Sequence, residues 1–250
     1  MNKIAIVILA AGKGKRMKNP NLPKVLVPLK DKPLVGHVLD TAFRLDPEKI
    51  VLIIGHLKET VIDYVKGMRS DLMEYAVQEH QLGTGHAVAQ AEPKLEGFDG
   101  DVLILCGDVP LLRESTLRKF IDSHREADAD VSVLTADAPD PTGYGRIVRD
   151  SDGDFLRIVE EKDASAEEKK ITEFNSGVYF VKAELLFSAL REVGNENAQG
   201  EYYLTDIIGI ARDRGKRAAA FKLADFDELQ GVNSPEDLER VAQKYEEIYE

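Results

Sequence analysis

The chain of 250 residues has a single cysteine, Cys106, and no tryptophan. One thiol cannot close an intramolecular disulfide, and it rules out a zinc site built on cysteines. Long apolar runs are missing too. The longest, Ile4 to Ala11, stops at Gly12-Lys13 and is under half of the roughly 20 residues that cross a bilayer. Gly-Lys-Gly-Lys-Arg follows it, where a secretory signal would need small residues for cleavage. Positive charge is in short supply: 33 Lys and Arg stand against 45 Asp and Glu, a formal charge of −12. That balance disfavours non-specific binding to nucleic acid or to acidic membranes. No internal repeat or low-complexity linker is present, and the histidines show no HExxH spacing. The expectation is a cytoplasmic protein with no nucleic-acid partner and no membrane partner.

The rest of the composition, 43% hydrophobic and 31% charged, is ordinary for a globular chain. The length suits one or two domains and can bury a sizeable core without staples. Ile4 to Leu9, Ile50 to Ile54 and Val102 to Cys106 are continuous apolar runs, the mark of strands buried on both faces. Val131 to Leu134 is a fourth candidate. Helical stretches lie between them: Leu34 to Leu45, Glu59 to Gly67, Thr84 to Ala91 and Ser115 to Asp128. This alternation predicts an α/β fold with a mostly parallel sheet flanked by helices.

After Pro139 the pattern shortens. Gly145 to Val148, Phe155 to Glu161 and Phe174 to Val181 read as strands of a smaller, mixed or antiparallel lobe. Asp150-Ser-Asp-Gly-Asp154 reads as a hairpin turn. Ala164 to Lys170 is charged and reads as a mobile surface segment. Helices over Ala183 to Arg191 and Thr205 to Arg214 and a strand over Ala218 to Leu223 follow. The last helix opens with Ser234 as N-cap and Pro235 in its first position. The economical reading is one domain over 1–250. Its nucleotide-binding part is about 1–138, its sugar-binding part 139–233, and its C-terminal helix 234–250.

The first strand runs straight into Ala10-Ala-Gly-Lys-Gly-Lys-Arg-Met17. Small residues let the backbone approach a ligand, and successive exposed N–H groups form an anion nest. Lys13, Lys15 and Arg16 add local positive charge to an acidic protein. The carboxyl end of a strand is where open α/β sheets bind ligands. A dinucleotide fingerprint needs a third glycine where Met17 stands, and the P-loop pattern GxxxxGK[ST] is absent. Triphosphate binding is favoured over a plain glycine turn with solvated lysines.

The segment LAAGKGKRM (Leu9 to Met17), followed by LPKVL (Leu22 to Leu26), resembles the signature of sugar-nucleotide pyrophosphorylases. Further segments occur in the order found in that family. They are QLGTGHAV (Gln81 to Val88), GDVPLL (Gly107 to Leu112), PTGYGRIV (Pro141 to Val148), IVEEKDA (Ile158 to Ala164), EFNSGVY (Glu173 to Tyr179), NAQGEYYLTDII (Asn197 to Ile208) and GVN (Gly231 to Asn233). Together they resemble the uridylyltransferase domain of the bacterial bifunctional N-acetylglucosamine-1-phosphate uridyltransferases. The resemblance runs from Lys3 to about Asn233. That family's β-helix acetyltransferase half has no counterpart here; one helix remains after Asn233.

The resemblance implies a Rossmann-like nucleotidyltransferase. It would make UDP-N-acetylglucosamine and pyrophosphate from UTP and N-acetylglucosamine 1-phosphate, with Mg²⁺. The attacking phosphate oxygen is already ionised at pH 7, so the chemistry calls for positioning and charge neutralisation, and for no catalytic histidine. Arg16 and Lys24 would be the catalytic cations, Arg16 at the β- and γ-phosphates and Lys24 at the α-phosphate and sugar phosphate. Leu9, Ala11, Gly12, Gly14, Gln78, Gly83 and Thr84 would bind the nucleotide. Gly145, Glu160 and Asn175 would bind the sugar, and Asp108 and Asn233 the metal. From residues alone, Lys24 could be a solvated lysine, Asp108 a turn cap and Thr84 a helix N-cap. Either Glu160 or Glu161 could face outward. Cys106 departs from the family, whose members often carry tyrosine there; the smaller side chain would loosen the pocket. Other readings stay open: a pyrophosphorylase for another sugar 1-phosphate or nucleotide, or a nucleotide-binding module without chemistry. Self-association also stays open.

Overall fold

The computed structural model describes residues 3–17, 19–68 and 71–249. Strand β1 (Ile4–Ala10) leads through a two-stranded ribbon, β2 (Pro28–Leu29) and β3 (Lys32–Pro33), to helix α1 (Leu34–Arg44). Then come β4 (Lys49–Ile54), α2 (Lys58–Val65), β5 (Met73–Val77), α3 (Thr84–Ala89), β6 (Asp101–Cys106), α4 (Glu114–Glu126) and β7 (Val131–Asp137). The second half holds β8 (Arg146–Arg149), β9 (Phe155–Val159), β10 (Glu173–Lys182), α5 (Ala183–Leu190), α6 (Asp206–Asp213), β11 (Ala218–Leu223) and α7 (Pro235–Tyr249).

Nine strands share one sheet in the order β11-β7-β10-β6-β1-β4-β5, with the β8–β9 hairpin attached to β10. β1 pairs in parallel with both β4 and β6, β4 with β5, and β7 with β11. β10 runs antiparallel between β6 and β7. The expected mostly parallel sheet flanked by helices is therefore present. Strand–helix alternation alone would set β7 beside β6; β10, folded much later in the chain, takes that place.

The apolar runs are explained by burial on both faces. Ile6 and Ile8 pack on one side of β1 with Val35, Val38 and Leu39 of α1 and Phe120 of α4. Ala5 and Val7 pack on the other with Ala87 and Val88 of α3, Leu186 of α5 and Ile207 of α6. A third, smaller cluster seats Val241 and Leu238 of α7 on Leu29, Leu34 and Leu111. The start of α7 is capped reciprocally: Asp237 N–H donates to Ser234 Oγ (3.2 Å) and Ser234 N–H to Asp237 Oδ2 (3.0 Å). This docking sets the segment before α7 beside the loop that follows β6, next to Asp108 and Val109.

Three expectations need adjustment. Strand β9 ends at Val159, so Glu160 and Glu161 lie just past it. The residue before α3 is Gly83, and Thr84 does not cap the helix with its side chain. The 164–170 segment is structured: Ala164 is buried, Ser165 and Glu168 exchange side-chain-to-backbone bonds, and Arg157 pairs with Glu168. A local capping box orders this charged stretch.

Candidate active site

From β1 the chain builds β4 and β5 on one side, then crosses over to form β6 on the other. The loops after β1 and β6 therefore diverge and leave a crevice at their carboxyl ends, the switch point of a doubly wound sheet. The two loops stay joined at their root, where Gly107 N–H donates to the Leu9 carbonyl at 2.9 Å. Leu9 thus uses its carbonyl within the fold. Ala11, Gly12 and Gly14 form the open turn beyond it, with Gly14 at φ +57°. A Cβ on Gly14 would stand 2.7 Å from Lys24 Cβ, so the glycine lets the loop close onto that lysine. The Lys15 side chain lies outside the described residues.

Lys24 is half-buried. Its ammonium pairs with the Asp108 carboxylate and donates to Asn233 Oδ1 at 2.9 Å. Asp108 follows β6, and its carbonyl accepts from Val232 N–H at 2.9 Å, which stitches the 231–233 segment to the β6 loop. Two oxygens from distant parts of the chain thus face one cation. Among the described residues no group of three or more His, Cys, Asp or Glu side chains could hold a metal. One carboxylate plus one amide oxygen suits Mg²⁺ bound with phosphates and water, and does not suit an ion caged by protein alone. Arg16 is exposed and lines a cavity of about 370 Å³ together with Tyr144, Asn233 and Arg240.

The sugar-side candidates also come together. A Cβ on Gly145 would lie 3.4 Å from Asn175 Cβ and 3.5 Å from Glu160 Oε2. Asn175 N–H donates to the Gly145 carbonyl at 2.9 Å. Asn175 Oδ1 accepts from Tyr179 Oη–H and Gly177 N–H, each at 3.0 Å. Its Nδ2 has no partner among the described residues. Glu160 accepts from the buried Thr205 hydroxyl at 3.2 Å, and burial raises its carboxyl above the ordinary glutamate range. Glu161 faces away. It binds the buried guanidinium of Arg146 at 2.7 Å and the Gly143 N–H at 3.3 Å. The ambiguity between the two carboxylates is thereby resolved by Arg146.

At the far end of the crevice Gln78 is 3% exposed. Its Nε2 donates to the Gly83 carbonyl (3.0 Å) and to His86 Nδ1 (3.1 Å). Gly83 has φ +114°, and a Cβ there would lie 2.5 Å from the Tyr202 carbonyl. Thr84 Oγ1 accepts from Leu204 N–H at 3.0 Å, which replaces the capping role. Residues 202–204 therefore clamp 82–85: Tyr202 N–H donates to Leu82 O and Gly85 N–H to Tyr202 O, both at 2.8 Å. Tyr202 and Thr205 belong to the Asn197–Ile208 segment, and no spacing in the sequence signals that they neighbour Gly83 and Glu160. Cys106 ends β6 with its Sγ 2.7 Å from where a Gly177 Cβ would be. Burial pushes this thiol up to about 12. The thiol, half-buried at the end of β6, packs against Gly177, whose φ is +79°.

Residues 5–247 match the model of the family described as Nucleotidyl transferase. The chain is 51% identical over 243 residues to "Bifunctional protein GlmU" of Geotalea uraniireducens (strain Rf4), covering 97% of this chain and 52% of that protein. It is 52% identical over 227 residues to the protein of that name from Halalkalibacterium halodurans, covering 91% and 49%. The chain spans about half the length of the curated relatives it matches. Among solved structures, a UDP-glucose pyrophosphorylase complexed with UDP-glucose superposes with a TM-score of 0.77 at 20% identity, covering 99% of this chain and 100% of that one. A putative glucose-1-phosphate thymidylyltransferase from Bacillus anthracis gives 0.77 at 21%, covering 96% and 94%. At these identities the two structures establish the fold.

Proposed function

The chain belongs to the nucleotidyl transferase family, and from that premise we propose that it joins UTP to N-acetylglucosamine 1-phosphate. The products are UDP-N-acetylglucosamine and pyrophosphate. A phosphate oxygen of the sugar phosphate attacks the α-phosphorus in line; the bond from that phosphorus to the bridging oxygen breaks, and pyrophosphate leaves with the electron pair. No proton has to be removed from the nucleophile. The observation that carries this reading is the meeting of Asp108 and Asn233 on the Lys24 ammonium at the switch point.

In this reading Lys24 moves its charge onto the α-phosphate and the sugar phosphate. A compact ammonium suits a point between two anions. Asp108 and Asn233 would hold Mg²⁺, which when bound would offset negative charge on the phosphates. The turn Ala11 to Gly14 and Arg16 receive the β- and γ-phosphates through backbone N–H groups and a guanidinium. Gln78, Gly83 and Thr84 take the base. Gly145 lets the sugar approach the backbone, Glu160 accepts from hydroxyls, and Asn175 offers its free Nδ2 to the acetamido carbonyl. The nucleotide is thus held mainly by residues of 1–138 and the sugar by those of 139–233. Small soluble substrates fit a cytoplasmic setting; among the described residues no helix is long and apolar enough to cross a membrane.

The deciding experiment is a pyrophosphate-release assay over a panel of nucleoside triphosphates and sugar 1-phosphates. UTP with N-acetylglucosamine 1-phosphate should give the highest kcat/KM. A higher value for another pair replaces the substrates, and no release from any pair removes the enzymatic reading.

A further inference from the structure

The Gln78 amide is held in one orientation. Its Nε2 is the atom that meets both the Gly83 carbonyl and His86 Nδ1. Each of these two contacts consumes one N–H of the amide. Gly83 O can only accept, so nitrogen must lie on that side. His86 must then accept at Nδ1, which places the proton of the neutral ring on Nε2; the Gln90 amide nitrogen, 3.4 Å from that Nε2, instead donates to the His86 carbonyl at 2.9 Å. Burial, with His80 nearby, holds the His86 imidazole below the usual histidine range, which keeps it neutral at pH 7. His86 is itself placed by α3, in contact with the Tyr202 ring at 6.3 Å between centroids. Gln78 Oε1 has no donor among the described residues and is left as a bare acceptor.

A freely turning primary amide cannot tell uracil from cytosine, because it presents a donor or an acceptor on demand. An amide locked with oxygen outward can. Uracil carries one donor on its pairing edge, N3–H, which such an oxygen accepts. Cytosine in the same ring position offers a lone pair at N3 and sets two acceptors against each other. We propose that His86 is a specificity-determining positioning residue: by accepting at Nδ1 it adds a second hold to that of the Gly83 carbonyl, keeps Gln78 Oε1 toward the base and thereby selects uracil over cytosine. This rests on the uridine-nucleotide reading above, and the geometry adds why that base is chosen.

The test compares UTP and CTP binding, by calorimetry on the full chain, for wild type, His86→Ala and His86→Asn, with thermal melting as a check on folding. Asparagine can keep an acceptor oxygen near the place of Nδ1. An unpaired buried polar group costs enough to change a binding ratio about 5- to 150-fold. The expected result is a UTP-to-CTP preference that falls by about tenfold or more in His86→Ala, mainly through stronger CTP binding, and that recovers in part in His86→Asn. A retained preference in a folded His86→Ala overturns the proposal while leaving the uridine reading intact. Wild type without any preference for UTP overturns both. If His86→Ala does not fold, His86→Leu, which fills the space without an acceptor, decides in its place: a fall of about tenfold or more in a folded protein supports the role, and a smaller fall overturns it.

Discussion

The Asp108 carboxylate and the Asn233 amide oxygen meet on one ammonium, that of Lys24, from which they are 84 and 209 residues distant in the chain. The meeting depends on two anchorages. The Asp108 carbonyl holds Val232, and the capped start of α7 holds Asn233 through a bond from its N–H to Asp237 Oδ2 at 3.0 Å. Lys24 therefore stands as an internal counter-charge to the oxygens assigned to the metal.

Removing that carboxylate separates metal binding from folding. Asp108→Ala should retain the circular dichroism of the wild type, because the stitching bond to Val232 uses the Asp108 backbone. It should lose divalent-ion-dependent turnover and bind Mn²⁺ at least tenfold more weakly, as read by electron paramagnetic resonance. Wild-type Mn²⁺ affinity in the folded variant would exclude Asp108 as a ligand.

Lys24→Ala should lower kcat by about 10²-fold or more, comparable to deleting a preorganised donor to developing charge. The KM for UTP should change less than kcat. A raised KM at unchanged kcat would mean that Lys24 binds ground state and transition state equally. Stopped-flow single-turnover rates distinguish chemistry from product release.

Glu160 couples sugar binding to stability in opposite directions. Its carboxyl is raised by burial, so the folded state holds the proton more tightly than the unfolded chain does. The stability it contributes is complete below its unfolded value of about 4.3 and is lost as pH rises through the higher folded value. Glu160→Gln should remove that slope and melt at an equal or higher temperature at pH 7. It should also lower kcat/KM for the sugar phosphate by about 5- to 150-fold through a weakened hydroxyl contact. The acidic limb of the wild-type pH profile should lie above the ordinary glutamate range and be absent from the variant. A wild-type limb that persists in Glu160→Gln would assign it to another group.

The Cys106 thiol, pushed to about 12 by burial, should be unreactive in the native protein. Iodoacetamide at pH 8 should label it many times more slowly than in 6 M guanidinium. Enlarging the opposite wall with Gly177→Ala combines a positive φ with a Cβ only 2.7 Å from Sγ. Its strained backbone alone costs about 1–2 kcal/mol, visible as a lower melting temperature. A variant that melts like wild type would mean that the irregular stretch 176–178 within β10 can relax.

The sequence by itself determined the elements and the chemistry on offer. Continuous apolar runs bounded by turn residues marked strands buried on both faces, and the small residues between β1 and Arg16 favoured a turn with open backbone N–H groups over a plain glycine turn. Motif order was enough to nominate Lys24, Asp108 and Asn233. What only the tertiary structure decided was pairing at a distance. β10 enters the sheet beside β6 because hydrogen-bonded partners in a sheet are not encoded by local periodicity. Glu160 rather than Glu161 turns toward Gly145 because Arg146, fully buried on a neighbouring strand, claims the other carboxylate. The Gln78 amide has a direction because the Gly83 carbonyl and a histidine eight residues on are both folded against its nitrogen. Each of these is a contact between chain segments, and a lone string of letters carries side-chain types without the distances that make them act.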